Sequence, residues 1–402
     1  MRTLLIVFVF LLPPALDCEW NQWRGPNRDG KSSETGLLAD WPQDGPRLLW
    51  QVESLGSGYS SLAAADGLLI SQGLEAGEQF LIALDAASGE TVWKTAHGRR
   101  YSNRRGDGPR GTPTVDGDRV YALGGDGNLI CVEVRTGAKV WEKNVLRVYG
   151  GRNISWGISE SPLVDGDRVI VNAGGPRASV VALNKETGAE LWKTQSDEAG
   201  YSSPVVAVIG GKRQYVVFTG EAGIGVLAEN GELLWRYAPV SNSTANIATP
   251  IVHDDLVFLS SAYGTGCALL RIGDSGGSVS ASEIYFSRSM MNHYSSSILI
   301  DGYLYGFSGR ILTAMQLETG EVGWKHRSVG KGQIIHADGK LYILSEDGVV
   351  GLIDPDPGEY REIARFEFEP GDYPTWTLPV ISSGVLYLRD QARMFAYDIK
   401  AR

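Results

Sequence analysis

The stretch ALDAASGETVW, residues 83–93, recurs in outline along the chain. It returns as CVEVRTGAKVW at 131–141, ALNKETGAELW at 182–192 and AMQLETGEVGW at 314–324, while GVLAENGELLW at 225–235 keeps the glycine and the tryptophan. The shared frame has a small residue first, an acid, amide or equivalent third, glycine seventh and tryptophan last. It reads as an alternating strand, a tight turn in which glycine takes positive φ, and a second strand ending at the indole. A small residue beside the tryptophan leaves room for its ring. In a radial array that ring can lie against the next repeat and bury a large flat surface. Recurrence at one offset from a turn glycine assigns Trp93, Trp141, Trp192, Trp235 and Trp324 to inter-repeat packing, and marks a repeat architecture.

Working outward, each frame follows a second module: small polar residues, an apolar strand, an Asp-Gly turn and a returning strand. TPTVDGDRVYAL (112–123), SPLVDGDRVIVN (161–172) and SSILIDGYLYGF (296–307) are examples. Asp-Gly between alternating apolar runs is a strong hairpin signal, and two hairpins make the four-stranded sheet of a propeller blade. Blades start near Tyr59, Gly111, Trp156, Tyr201, Ile247, Tyr294 and Gln333, and end near Trp93, Trp141, Trp192, Trp235, Phe286, Trp324 and Phe366. The C-terminal unit at 377–399 has three strands. RLLWQV at 47–52, with Trp50 in the packing position, supplies the fourth. The expected fold is all-β: an eight-bladed β-propeller of four-stranded antiparallel blades, closed by an N-terminal strand that leaves no open sheet edge in the ring.

The domain plan is a signal peptide at 1–17, an extended N-terminal segment at 18–44 and the propeller at 45–402. Arg2 followed by the apolar run 4–12 has the build of a secretory leader, too short to span a bilayer. Cys18 raises a lipid anchor, although Asp17 before it makes a poor lipidation site. Residues 18–44 are expected to lie across the propeller, held by Trp20, Trp23 and Trp41. The net charge of −10 disfavours nucleic acid as a partner. No later run is apolar enough for a transmembrane helix. Cys131 and Cys267 fall in distant repeats and read as separate buried apolar residues.

These repeats resemble the tryptophan-docking motif of the quinoprotein (PQQ-like) β-propellers, and the resemblance covers nearly all of the mature chain. The opening WNQWRGPNRDGKSSETGLL (20–38) is similar to the start of exported PQQ-like propeller proteins. Two groups share that fold: PQQ-dependent quinoprotein alcohol dehydrogenases, and non-catalytic scaffolds such as the outer-membrane assembly lipoprotein BamB. The dehydrogenase reading implies adjacent cysteines over the quinone, a calcium ion held by a carboxylate and an amide, and in some members a Cys-x-x-Cys-His haem site. The chain has neither cysteine motif. The favoured expectation is an exported (periplasmic or secreted) non-catalytic binding or scaffold protein with a protein or carbohydrate ligand. The alternative is a PQQ- and calcium-dependent oxidoreductase of alcohols or sugars. No metal site and no catalytic residue is assigned.

The starts of the innermost strands ring the channel mouth, and candidate ligand-binding residues are drawn from there: Arg110, Trp156, Glu160, Asn292, His293 and Trp376. Arg110 offers a guanidinium fork to an anion. Trp156 and Trp376 offer ring faces. Glu160 with Asn292 is the one carboxylate–amide pair suited to a hard cation. His293 is the expected proton carrier, with an ordinary imidazole value near 6.5. The loop RRYSNRRGDGPR (99–110), with five arginines and one acid, reads first as a solvated loop and, as the alternative, as a channel cap that attracts an anion.

Overall fold

The computed structural model describes residues 20–275 and 278–401, so the expected signal peptide and Cys18 lie outside the described residues. Eight four-stranded antiparallel sheets stand in a ring. Blade one shows the pattern: Ala63–Ala65 innermost, then Leu68–Glu75, Glu78–Asp85 and Thr91–Arg99 outermost. Its first hairpin turns through Asp66 and Gly67, both at positive φ (53° and 74°), the backbone that an Asp-Gly turn supplies at low cost. The middle strands are buried on both faces. Leu129, Ile130, Cys131 and Val132 are all fully buried, as expected for sheets stacked face to face. The apolar core therefore lies between blades: Ile70, Leu81 and Trp93 of blade one pack with Val120, Ile130 and Val132 of blade two. Cys131 and Cys267 are free and buried. The only described helix is Val145–Tyr149, capped by the Asn144 side chain and by left-handed Gly150.

The frame tryptophans span the seams. Trp93 Nε1 donates to the Val134 carbonyl (2.8 Å), Trp141 to Lys185 (2.8 Å), Trp192 to Ala228 (3.2 Å) and Trp324 to Asp356 (2.7 Å), each in the next blade. Each frame glycine also serves the blade before it. A Cβ at Gly137 would come within 2.5 Å of the Trp93 indole, and one at Gly188 within 2.8 Å of Trp141. Glycine is required there twice over, for the turn and for the ring seated on it.

Two seams depart from this pattern. Trp235 shares a core with Val257, Leu259 and Ala268 of blade five, but its N–H does not bond across the seam. Its Nε1 donates to Gln214 Oε1 in its own blade (2.7 Å), because blade five replaces the short frame turn with a long hairpin, Gly266–Ser275 and Ser278–Ser287. In blade five the ring across the seam is Tyr285, whose hydroxyl donates to Leu317 O (2.8 Å). Phe286, expected there, is largely exposed. A one-residue difference in the position of the bulge before the ring accounts for the switch.

Closure follows the sequence. Arg47–Val52 pairs with Arg393–Asp398 as the outermost strand of blade eight, and Trp50 Nε1 donates to Ala86 O of blade one (3.2 Å). Gly45 takes the place of a frame glycine, with the Phe366 ring of blade seven packed directly on it. Arg389 of blade eight is fully buried and donates to the backbone oxygens of Ser60 and Gln72 in blade one (2.8 and 2.7 Å).

The segment before residue 45 is not extended throughout. Residues 22–29 coil through turns and bends inside the channel. The backbone of Asn21 pairs with Val115 of blade two, and that of Gly30 with His336 of blade seven, so the segment crosses the ring. Trp20 is fully buried and Trp41 nearly so. At the centre, Arg24 donates to Ser297 O (2.8 Å) in blade six. Arg28 donates to Ser161 O (3.1 Å) and Pro204 O (2.9 Å) in blades three and four. Both guanidinium groups are completely buried, and burial holds them down, Arg24 to about 10 and Arg28 to about 9.

Candidate functional site

Above this plug the inner-strand starts enclose a cup of about 750 Å³, a size suited to small ligands or short segments of a chain. Its floor includes Trp23, whose Nε1 donates to Thr249 Oγ1 (2.9 Å). Its wall is a crescent of rings in serial contact. Tyr59 meets Trp376 (centroids 5.1 Å apart), Trp376 meets Tyr294 (5.6 Å), and Tyr294 meets His293 (5.7 Å). His293 meets Tyr263 (5.2 Å), which stacks parallel to Trp156 (6.4 Å), and Trp156 meets Tyr201 (5.7 Å). The gap between Tyr201 and Tyr59 is filled by the arginine-rich loop. Arg110 lies over Tyr101 and Tyr59, at 4.6 and 5.6 Å from the ring centroids.

Four of the six candidates therefore meet in one wall: Arg110, Trp156, His293 and Trp376. Their chemistry differs from expectation in two cases. Arg110 spends Nη1 and Nη2 on the carbonyls of Gly108 and Gly106, so its fork shapes its own loop. His293 is pushed down to about 4, first by burial and then by Lys331 and Arg105, so it is neutral near pH 7. Its Nε2 lies 2.8 Å from the Tyr263 hydroxyl, and its Nδ1 is buried without a partner.

Glu160 and Asn292 are not brought into the wall. In extended backbone successive side chains point opposite ways. Ser159 faces the cup while Glu160 turns inward, and His293 faces the cup while Asn292 turns inward. Glu160 Oε1 accepts from Asn172 N (2.6 Å). Burial raises its carboxyl to about 8, against the pull of that hydrogen bond and of Arg28. Asn292 Nδ2 donates to Phe307 O (3.1 Å), and its Oδ1 accepts from Ser297 Oγ (3.0 Å). Glu160 Oε2 is buried without a partner, but neither group faces the cup, so the expected carboxylate–amide pair for calcium is not part of its wall. Among the described residues no cluster of three His, Cys, Asp or Glu side chains is placed to hold a metal ion.

The hydroxyls at the strand starts have a structural task. Ser161 Oγ accepts from Thr112 N, Ser203 Oγ from Ser161 N, and Ser296 Oγ from Thr249 N, each at 2.9 Å, so they lace neighbouring blades together.

Several cup residues were not singled out from sequence. Tyr263, Arg310, Lys331, Glu346 and Tyr373 come from connections between strands. Glu346 sits between Arg310 and Lys331 (3.6 Å each) and accepts from Trp376 Nε1 (3.1 Å). That indole is thus fixed by a carboxylate itself held by two cations.

The eight-bladed ring, its seam tryptophans and its channel mouth define a propeller of the PQQ-like class. A family model described as outer membrane protein assembly factor BamB matches residues 34–152 and 77–326, well over half of the chain, and the chain belongs to this family. BamB of Burkholderia pseudomallei is 28% identical over 236 residues, 56% of this chain and 57% of that one. Quinoprotein alcohol dehydrogenase PedH of Pseudomonas putida is 30% identical over 143 residues, 34% of this chain and 24% of that one. The chain thus spans little more than half of the first relative's length and about a quarter of the second's. The crystal structure of BamB from Moraxella catarrhalis superposes with a TM-score of 0.64 at 15% identity, over 89% of this chain and 98% of that one, a likeness of fold.

Proposed function

We propose that this protein is an exported, non-catalytic binding or scaffold propeller whose mouth cup receives part of another molecule, a protein segment in the first instance and a glycan as the alternative. The observation that carries the reading is the cup itself. Its wall is aromatic, its histidine is neutral near pH 7, and its one deeply set carboxylate, Glu346, is neutralised by two cations. Such a wall offers stacking surface and orientation but no poised acid–base pair. The name carried by its BamB relatives, an outer membrane protein assembly factor, supports a protein partner and a location outside the cytoplasm. Among the described residues no helix is long and apolar enough to cross a membrane.

The competing reading is a PQQ- and calcium-dependent oxidoreductase, and one experiment separates the two. The purified chain is titrated with PQQ and calcium, followed by absorbance, and assayed for dye-coupled oxidation of alcohols and sugars. The expected result is no saturable uptake and no turnover. Saturable uptake with turnover would overturn the binding reading. N-terminal sequencing of protein recovered from cells is expected to show residues 1–17 removed, and their retention would contradict export.

A further inference from the structure

Resting on the binding reading above, we propose that the cup takes about one turn of an uncharged, proline-rich segment of a partner protein, held by ring faces and entering from the mouth alone. The far side is closed by the chain itself. Residues 22–29 occupy the channel, Arg24 and Arg28 are hydrogen-bonded to walls on different blades, and the Trp23 indole is pinned to Thr249 beneath the cup. A ligand therefore enters and leaves on one face.

Charge does not select the occupant. Arg105, Arg110, Arg310 and Lys331 line the cup together with Glu346, Asp347 and Asp372, so neither sign is in clear excess. Much of this charge is already engaged. Glu346 lies between Arg310 and Lys331 (3.6 Å each) and accepts from Trp376 Nε1 (3.1 Å). Lys331 also lies over the Tyr294 ring, 4.7 Å from its centroid. Arg110 donates to carbonyls of its own loop. A strongly charged segment of either sign would meet like charges as well as opposite ones.

What remains for selection is ring surface. Trp156 and Trp376 are half-buried, and Tyr263 and Tyr373 are 45% and 41% exposed. The wall is set in advance. Tyr263 stacks on Trp156 with 10° between the planes, and its hydroxyl lies 2.8 Å from His293 Nε2. Its backbone is held at φ 58°, a left-handed conformation that bulky side chains rarely adopt, so the surrounding structure keeps this ring at the mouth against strain. A fixed wall loses little entropy on binding. A polyproline II segment shares that advantage, since its rings preset φ. Pyrrolidine rings lay rigid apolar faces on aromatic ones. The segment makes no internal hydrogen bonds, and the exposed Arg105 and Arg310 at the mouth offer donors to its carbonyls. Size agrees as well. One turn is three residues and about 9 Å long, and the cup's volume of about 750 Å³ equals that of a cube about 9 Å on an edge.

The test uses the full mature chain and three synthetic ten-residue peptides, each with one tyrosine: proline-rich, glycine–serine and glutamate-rich. Cellohexaose serves as a neutral glycan. Binding is followed by calorimetry at low and at physiological salt. The proline-rich peptide is expected to bind at least about tenfold more tightly than the glycine–serine one, and to hold its affinity within about twofold as salt rises. Trp156→Ala and Tyr373→Ala, both checked for a cooperative melt, are each expected to weaken that peptide at least about tenfold. Equal binding of the proline-rich and glycine–serine peptides, tighter binding of the glutamate-rich one, unchanged affinity in both folded variants, or binding of cellohexaose without the proline-rich peptide would overturn the inference. Absence of peptide binding together with absence of PQQ-dependent turnover also overturns it and leaves the broader reading standing. Turnover with PQQ overturns that reading instead.

Discussion

The outer seams and the channel mouth are both built from aromatic rings, and the two are finished differently. At the seams of blades one, two, three, six and eight, an indole meets the neighbouring blade and its N–H finds a backbone carbonyl there. At the mouth, rings meet mainly one another, and buried polar atoms such as the Tyr294 hydroxyl are left without partners. A satisfied ring stabilises the fold, whereas an unsatisfied buried polar atom costs stability, at the mouth as at Trp41, Tyr121 and Tyr342 away from it. The difference teaches that aromatic content alone does not locate a site. What separates the two regions here is what the ring faces meet: a neighbouring blade at the seams, and an open cup at the mouth, where Trp376 and Tyr263 also have their polar edges engaged.

The largest effect is expected from breaking the ring. Deleting residues 45–52 removes the outer strand of blade eight, the Trp50 bond to blade one and the glycine under Phe366. The expected outcome is no soluble folded monomer on size exclusion. A stable truncated protein would contradict the closure.

Single substitutions then set the two regions against each other. Trp192→Ala at a seam is expected to cost about 3–5 kcal/mol, read by chemical denaturation. Trp156→Ala, half-buried at the mouth, is expected to cost about 1 kcal/mol or less and to abolish ligand binding. Equal destabilisation would erase the distinction. Arg28→Met strips several buried carbonyls of their donor and is expected to cost roughly 3 kcal/mol or more. A red shift of Trp23 emission should accompany it as the plug loosens.

A further effect is one of pH. Glu160 is raised to about 8 in the fold, from an ordinary value near 4.5. Between those values the folded chain holds a proton that the unfolded chain releases, so the contribution of Glu160 to stability declines as pH rises through about 8. His293, held at about 4, acts oppositely: its contribution is complete above the ordinary imidazole value and is lost as pH falls through about 4. Glu160→Gln isolates the first effect. Relative to wild type, the melting temperature of the variant is expected to rise steadily from pH 5 to about 8 and to level off above it. A pH-independent difference would show that Glu160 is ionised in the fold.

Most of the fold is readable from the chain because each blade repeats its own instructions: an Asp-Gly hairpin, then a turn glycine four residues before a tryptophan. Where the instructions change, so does the reading. Nothing in GVLAENGELLW shows that Trp235 lacks a neighbouring turn to rest on, since that depends on the long hairpin of the next blade. The plug is illegible for another reason. Arg24 and Arg28 look like surface residues until the ring closes and supplies inward carbonyls from three blades. At the mouth, position along the sequence locates the inner-strand starts, but parity decides which residue faces the cup. Ser159 rather than Glu160, and His293 rather than Asn292, are settled by one-residue alternation that begins in loops of irregular length. Tyr263 and Lys331 come from connections with no repeat signature.

The central claim, that partners meet the mouth and not the seams, is tested most directly by a photo-crosslinking amino acid placed in turn at Tyr263 and Tyr373 on the mouth and at Val92 and Leu191 on the outer edge, all solvent-exposed. Illumination in the cells that make the protein, followed by mass-spectrometric sequencing of the adducts, is predicted to give the same partner peptide from both mouth positions and none from the outer ones. A partner captured from Val92 or Leu191, with none from Tyr263 or Tyr373, would contradict the account.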